Sequence, residues 1–200
     1  MQEKADRRER KKQAVRAALE TAAFRLFDER GFVETTVDQI ADEADVSRST
    51  FFRYFGSKEA VLFSSLEENG EILSDLIRQR PASESPLRAF ENAFVAFVAV
   101  PGIAREPADA DRFRRILEAT PMLNARYAEL THSWRTRIAQ TLALRDGKDE
   151  PDHPHLLASS VGIAVSERVR DEYVGPGFSG DLEALVRSQF RLLRDLVIAD

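Results

Sequence analysis

The chain has 200 residues, 43% hydrophobic and 32% charged, which excludes a disordered or membrane-embedded class and allows one or two domains around a sizeable core. It contains no cysteine, so disulfides, a thiolate nucleophile and cysteine-ligated zinc drop out. The net charge of −5 is uneven: residues 1–27 carry eight Lys and Arg against four acids, and residues 59–200 carry 17 basic and 23 acidic groups.

A basic start on an acidic body suits a polyanion held at one end. No apolar run approaches the roughly 18–20 residues of a membrane span. No secretory apolar segment opens the chain, and a cytoplasmic protein is expected.

Residues 1–9 are mostly charged and are expected to fray. Arg7, Arg8, Lys11 and Lys12 either reach along phosphates or belong to a solvated tail. From about Asp6 to Arg30 the spacing of Val15, Leu19, Ala22, Ala23, Leu26 and Phe27 predicts a helix. Gly31 is its stop signal and Phe32 a hydrophobic plug.

Residues 36–62, TVDQIADEADVSRSTFFRYFGSKEAVL, hold the strongest signal. Thr36 with Gln39 three residues on is a capping-box start for a helix whose apolar residues are Val37, Ile40 and Ala41. Ala44-Asp45-Val46 breaks it, and aspartate tolerates a left-handed turn. Ser47 can cap a second helix that carries Arg48, Ser49 and Thr50 in its first turn, with Phe51 and Phe55 packed behind. A helix-turn-helix presents polar N-terminal side chains of its second helix to base edges in this way.

The stretch resembles the DNA-binding segment of TetR-type (tetracycline-repressor-like) transcriptional regulators. Phe32, Thr36, Ile40-Ala41, Val46-Ser47, Thr50-Phe51, Arg53-Tyr54-Phe55, Ser57-Lys58-Glu59 and Leu62 carry the match. The resemblance implies DNA-facing roles for Thr36, Arg48, Ser49, Thr50, Phe52, Tyr54 and Lys58. Arg48 is the best placed to read guanine, and Thr50, Tyr54 and Lys58 suit phosphates. Two positions depart from the family pattern. Asp45 stands where glycine is usual, and Phe52 stands where tyrosine is usual and has no hydroxyl to donate.

Ser57 caps the next helix, which runs to about Arg80 and stops at Pro81. Helical periodicity continues over 86–100, 107–119, 121–144, 154–174 and 181–198, and no segment alternates as a strand does. The body loosely resembles a subgroup of these regulators with acyl-CoA-like ligands, through RRILEATPMLNARY, the Trp134 helix and ALRDGKDEPD. Phe90, Phe94, Phe97, Phe113, Tyr127 and Trp134 are the candidate effector-lining residues, with ordinary core as the alternative for each.

GPGFSG matches G-x-G-x-x-G, but a helical pattern precedes it where a dinucleotide site needs a strand, so it reads as a helix-ending loop. His153 and His155 flank a proline in an acidic loop without a helical pair to fix metal geometry, and read as solvated. His132 reads as a surface or pocket-edge residue.

The expected fold is all-α, with a three-helix head over 1–57 and an effector-binding and dimerisation bundle of about six helices over 58–200. Leu157, Val161, Val165, Leu182, Val186, Leu193 and Val197 are the candidate dimer seam, with closure of the monomer core as the alternative. The expected function is repression from a pseudo-palindromic operator, relieved by a small hydrophobic or acyl-CoA-like molecule, by a homodimer without cofactor, metal or catalytic activity. The alternatives are an activator or constitutive regulator, and a helical binding or enzymatic module with a vestigial head.

Overall fold

The computed structural model describes residues 2–104, 106–175, 178 and 180–198, with the side chains of 2–6, 9, 197 and 198 excepted. Among the described residues there are nine helices and no strand: α1 (Gln2–Arg30), α2 (Val37–Glu43), α3 (Arg48–Tyr54), α4 (Lys58–Arg78), α5 (Pro86–Val98), α6 (Pro107–Ala119), α7 (Pro121–Arg145), α8 (His153–Tyr173) and α9 (Leu182–Ile198). No helix among the described residues is long and apolar enough to cross a membrane.

The boundaries follow local chemistry. Gly31 ends α1 at φ +86°, where a Cβ would be strained. Pro86 follows the cap Ser85 at the start of α5, where the missing N–H is no loss. α1 departs from the sequence expectation, because helix begins at Gln2 where fraying was expected. Once the amphipathic part of α1 is nucleated, each added residue gains a hydrogen bond, and Lys, Arg, Gln and Glu are good helix formers.

The chain divides into two compact units that do not follow chain order: Met1–Leu66 with Arg112–Tyr127, and Glu67–Asp111 with Ala128–Asp200. In the first, Leu19, Ala23 and Phe27 of α1 are buried with Ile40 and Ala41 of α2 and Phe51 of α3. Phe113 packs against Phe24 at 6.2 Å and Phe63 at 6.4 Å, and Asp28 accepts from Arg112 and Arg115. The end of α6 is thereby held to α1 by both rings and charge.

The second unit is built on α5 packed against α8 and α9. Phe90, wholly buried, lies 6.1 Å from the Phe190 ring. A Cβ on Gly162 would come within 2.6 Å of the Phe90 ring, so only glycine lets α8 approach α5 this closely. The turn between α4 and α5 is tied by Arg80, whose Nε donates to Glu84 at 3.0 Å and holds that carboxyl below its usual range. The turn between α7 and α8 is also more ordered than a solvated loop. His155 is 1% exposed, receives the Asp152 N–H on Nδ1 and sets Nε2 3.0 Å from Asp146. The histidine expected in solvent is therefore part of a helix cap.

Gly162→Ala is expected to destabilise the protein by about 1–3 kcal/mol, the usual penalty for one extra carbon in a filled core. Urea unfolding should show a lower midpoint, and Gly162→Ala with Phe90→Leu should recover part of the loss.

Candidate DNA-reading head

The reading head is set by three short-range devices. Thr36 Oγ1 accepts from Gln39 N at 3.2 Å while Thr36 N donates to Gln39 Oε1 at 2.9 Å, the capping box that starts α2. α2 ends with Asp45 N donating to Asp42 O at 3.1 Å and Val46 N to Ala41 O at 2.9 Å. This bond pattern is a Schellman stop, which needs a left-handed residue, and Asp45 supplies it at φ +53°. Aspartate in place of the usual glycine therefore does the same backbone task. Ser47 Oγ then accepts from Thr50 N at 3.1 Å and starts α3.

These devices fix which side of α3 is outside. Phe51 and Phe55 are 0% and 2% exposed, while Arg48, Ser49, Arg53 and Phe52 face solvent and Thr50 and Tyr54 are half-buried. The hydroxyls of Ser49 and Thr50 each lie 2.9 Å from Ser47 Oγ, so three hydroxyls share one cluster at the helix start. Arg48 Nη1 donates to Asp38 Oδ2 at 2.9 Å and Oδ1 at 3.1 Å, and its guanidinium lies 5.5 Å from the Phe52 ring centroid. Thr36 is exposed at the start of α2.

Lys58 is placed differently from the other candidates. Its ammonium donates to the carbonyls of Phe32 at 2.7 Å, Thr35 at 2.9 Å and Val33 at 3.2 Å, and stands 4.3 Å from the Phe32 ring. An ammonium has three donors, and all three are committed to the turn between α1 and α2. A phosphate contact from Lys58 would have to break one of them.

The six aromatics considered for an effector fall into two groups. Phe113 and Tyr127 are in the first unit, ring to ring at 6.0 Å. Phe90, Phe94 and Phe97 are buried together in the second, with Trp134 half-buried against the same core. A Cβ on Gly70 would come within 2.8 Å of the Trp134 indole nitrogen, so the indole lies directly on the α4 backbone.

The candidate dimer seam also divides. Val165 and Val186 are enclosed within the monomer, and Val161, Leu182 and Leu193 are half-buried. Leu157 is 65% exposed, and the Val197 side chain lies outside the described residues. Other leucines of α8 and α9 are exposed as well: Leu156, Leu192 and Leu196. Beside them Pro86, Leu87, Leu157, Ala158, Val161 and Leu193 line a groove of about 410 Å³.

The family pattern described as bacterial regulatory proteins, tetR family, matches residues 20–64, and the MftR C-terminal domain pattern matches residues 84–197. The regulator TcmR of Streptomyces glaucescens is 35% identical over 187 residues, covering 89% of this chain and 80% of its own. The chain belongs to the TetR family. It is a DNA-binding transcriptional regulator with that family's all-α fold.

The putative mycofactocin biosynthesis regulator MftR of Mycobacterium tuberculosis (strain H37Rv) is 33% identical over 163 residues, covering 76% of this chain and 78% of its own. A solved transcriptional regulator from Aquifex aeolicus VF5 shares the fold at a TM-score of 0.58 and 16% identity, covering 91% of this chain and 99% of that one.

Sequence reasoning passed over Asp38 in this TetR-family head. It lies ten residues before Arg48, across a turn, and no spacing rule joins residues on two different helices.

Lys58→Ala is expected to loosen the head rather than remove a phosphate contact. Loss of hydrogen bonds from a charged donor should lower stability by about 1.5–3 kcal/mol. In a salt titration of DNA binding at a temperature where the variant is folded, the logarithmic slope should stay that of wild type, whereas loss of one phosphate contact would flatten it by about 0.9.

Proposed function

We propose that this TetR-family chain is a repressor that grips a pseudo-palindromic operator as a homodimer and releases it when a small hydrophobic or acyl-CoA-like molecule binds the body. The polar, capped and exposed start of α3 is the observation that carries the operator half of the reading. Thr36, Arg48, Ser49, Thr50, Phe52 and Tyr54 form its DNA-facing set, and Lys58 serves by holding the turn beneath it. The protein acts in the cytoplasm, as a regulator without catalytic activity.

The dimer half rests on the outer face of α8 and α9. Leu157 at 65% exposed and Leu196 at 71% are too apolar and too open for a solvated helix pair. A second copy of the chain, packing α8 and α9 as a four-helix bundle, would cover this face with Leu156 and Leu192. A two-fold axis there would set the recognition helices about 34–36 Å apart, one turn of DNA. Phe90, Phe94, Phe97 and Trp134 supply the apolar chemistry for the effector, and ligand would favour the conformer whose spacing no longer fits the operator.

One observation favours a second reading, a regulator with no small-molecule effector. Phe90 is wholly buried, with its ring 6.1 Å from that of Phe190 and lying where a Cβ of Gly162 would stand, as a core residue rather than a cavity wall does. Titrating acyl-CoAs and hydrophobic metabolites into a preformed DNA complex separates the two. Release by a molecule that binds the body supports induction, and binding without release supports the constitutive regulator.

Arg48→Ala and Tyr54→Ala should each weaken gel-shift binding to the upstream intergenic DNA by about ten-fold or more; wild-type binding by both would remove α3 from the interface. Leu157→Asp with Leu196→Asp should sediment as a monomer at micromolar concentration with its helical circular dichroism intact. A dimer that survives both changes would place the interface elsewhere.

A further inference from the structure

Arg48 is a long, exposed side chain in the first turn of α3. An unrestrained arginine there would be drawn to the nearest phosphates, which attract cations whatever the sequence. Two neighbours from different helices restrain it. Asp38, in the first turn of α2, meets Nη1 alone, with both carboxylate oxygens on that one nitrogen. Phe52, one turn along α3, lies 5.5 Å from the guanidinium carbon, within cation–π range. The Phe52 ring is itself fixed, edge-on to the buried Phe51 at 5.5 Å and 87°.

The contact through Nη1 alone matters for what it leaves. A side-on pair would use the Nε–Nη2 edge, the fork that matches two acceptors. Here that fork stays outside the pair, and its geometry suits guanine O6 and N7 in the major groove. The carboxylate also sets a negative charge about 3 Å from Nη1, which penalises any pose that brings this end of Arg48 to a phosphate. As a stabilising element the pair counts for little, because both side chains are more than half exposed. Its consequence is orientation.

We propose that Asp38 is a positioning residue for base readout, holding Arg48 by Nη1 over the Phe52 ring so that the Nε–Nη2 edge reads one guanine in each half-site. This rests on the assignment of Arg48 to the DNA face. It also gives Phe52 a task that needs no hydroxyl.

The test starts by enriching duplexes from a randomised pool with the full-length wild-type protein. Fluorescence anisotropy then compares the enriched duplex with versions in which each guanine is replaced symmetrically by adenine. Wild type should lose about ten-fold or more in affinity at one guanine per half-site. Asp38→Asn should shrink that ratio below about three-fold while binding unrelated DNA as tightly as wild type or tighter, since one negative charge is gone. Asp38→Glu should restore most of the ratio, and Phe52→Ala should reduce it.

An unchanged ratio in Asp38→Asn overturns the proposal. So does uniform weakening on all duplexes, which would make Asp38 a structural tie between α2 and α3. If Arg48→Ala leaves the ratio intact, Arg48 reads no base, and the proposal falls together with the assignment beneath it; loss of the ratio in Arg48→Ala alone sinks only the role of Asp38.

Discussion

The ammonium of Lys58 on three carbonyls is the contact on which the head depends. It joins the first residue of α4 to the turn that leaves α1, and that turn leads into Thr36, the cap of α2. Thr35 is pinned in the same turn by its hydroxyl, which donates to the carbonyl of Gly31 at 2.8 Å. With the entry to α2 fixed, the Schellman stop and the Ser47 cap leave α3 a single direction. The chain places a charge where it satisfies backbone rather than where it meets solvent, and the recognition helix is aimed as a result.

The outer face of α3 divides the work of DNA binding among different chemistries. The hydroxyls of Ser47, Ser49 and Thr50 are short, pre-ordered and suited to positioning. Arg48 has reach and a planar fork but large rotamer freedom, and its value in discrimination depends on losing that freedom before the base arrives. An aspartate and an aromatic ring restrain it without burying it. The body follows the opposite rule: Phe90, Phe94, Phe97 and Phe190 are ordered by close packing, and Gly162 leaves the space on α8 that the Phe90 ring fills.

Much of this was legible in the sequence because it is local. A capping box spans four residues, a Schellman stop six and a helical stripe three or four per turn, so Thr36, Asp45, Ser47, Phe51 and Phe55 declare their roles in order. Every helix of the body was likewise visible in its periodicity, to within a few residues at the ends. His155 was misread because the partners that enclose it, Asp146 and the Asp152 backbone, come together only when a loop folds back. The charged start was misread because composition alone does not report helix propagated from a neighbouring segment.

By itself the sequence determined the helices, their caps and the polarity of the reading head, since hydrogen bonds within a few residues set these. Tertiary structure alone decided which of two apolar stripes on α9 is enclosed, with Val186 and Phe190 inside and Leu192 and Leu196 outside. It also decided that Phe113 and Tyr127 pack in a different unit from Phe90, that Lys58 faces carbonyls, and that Asp38 holds Arg48. Each of these is a pairing between segments far apart along the chain or on separate helices. Periodicity shows that a face is apolar or charged, and only the partner across from it decides what that face meets.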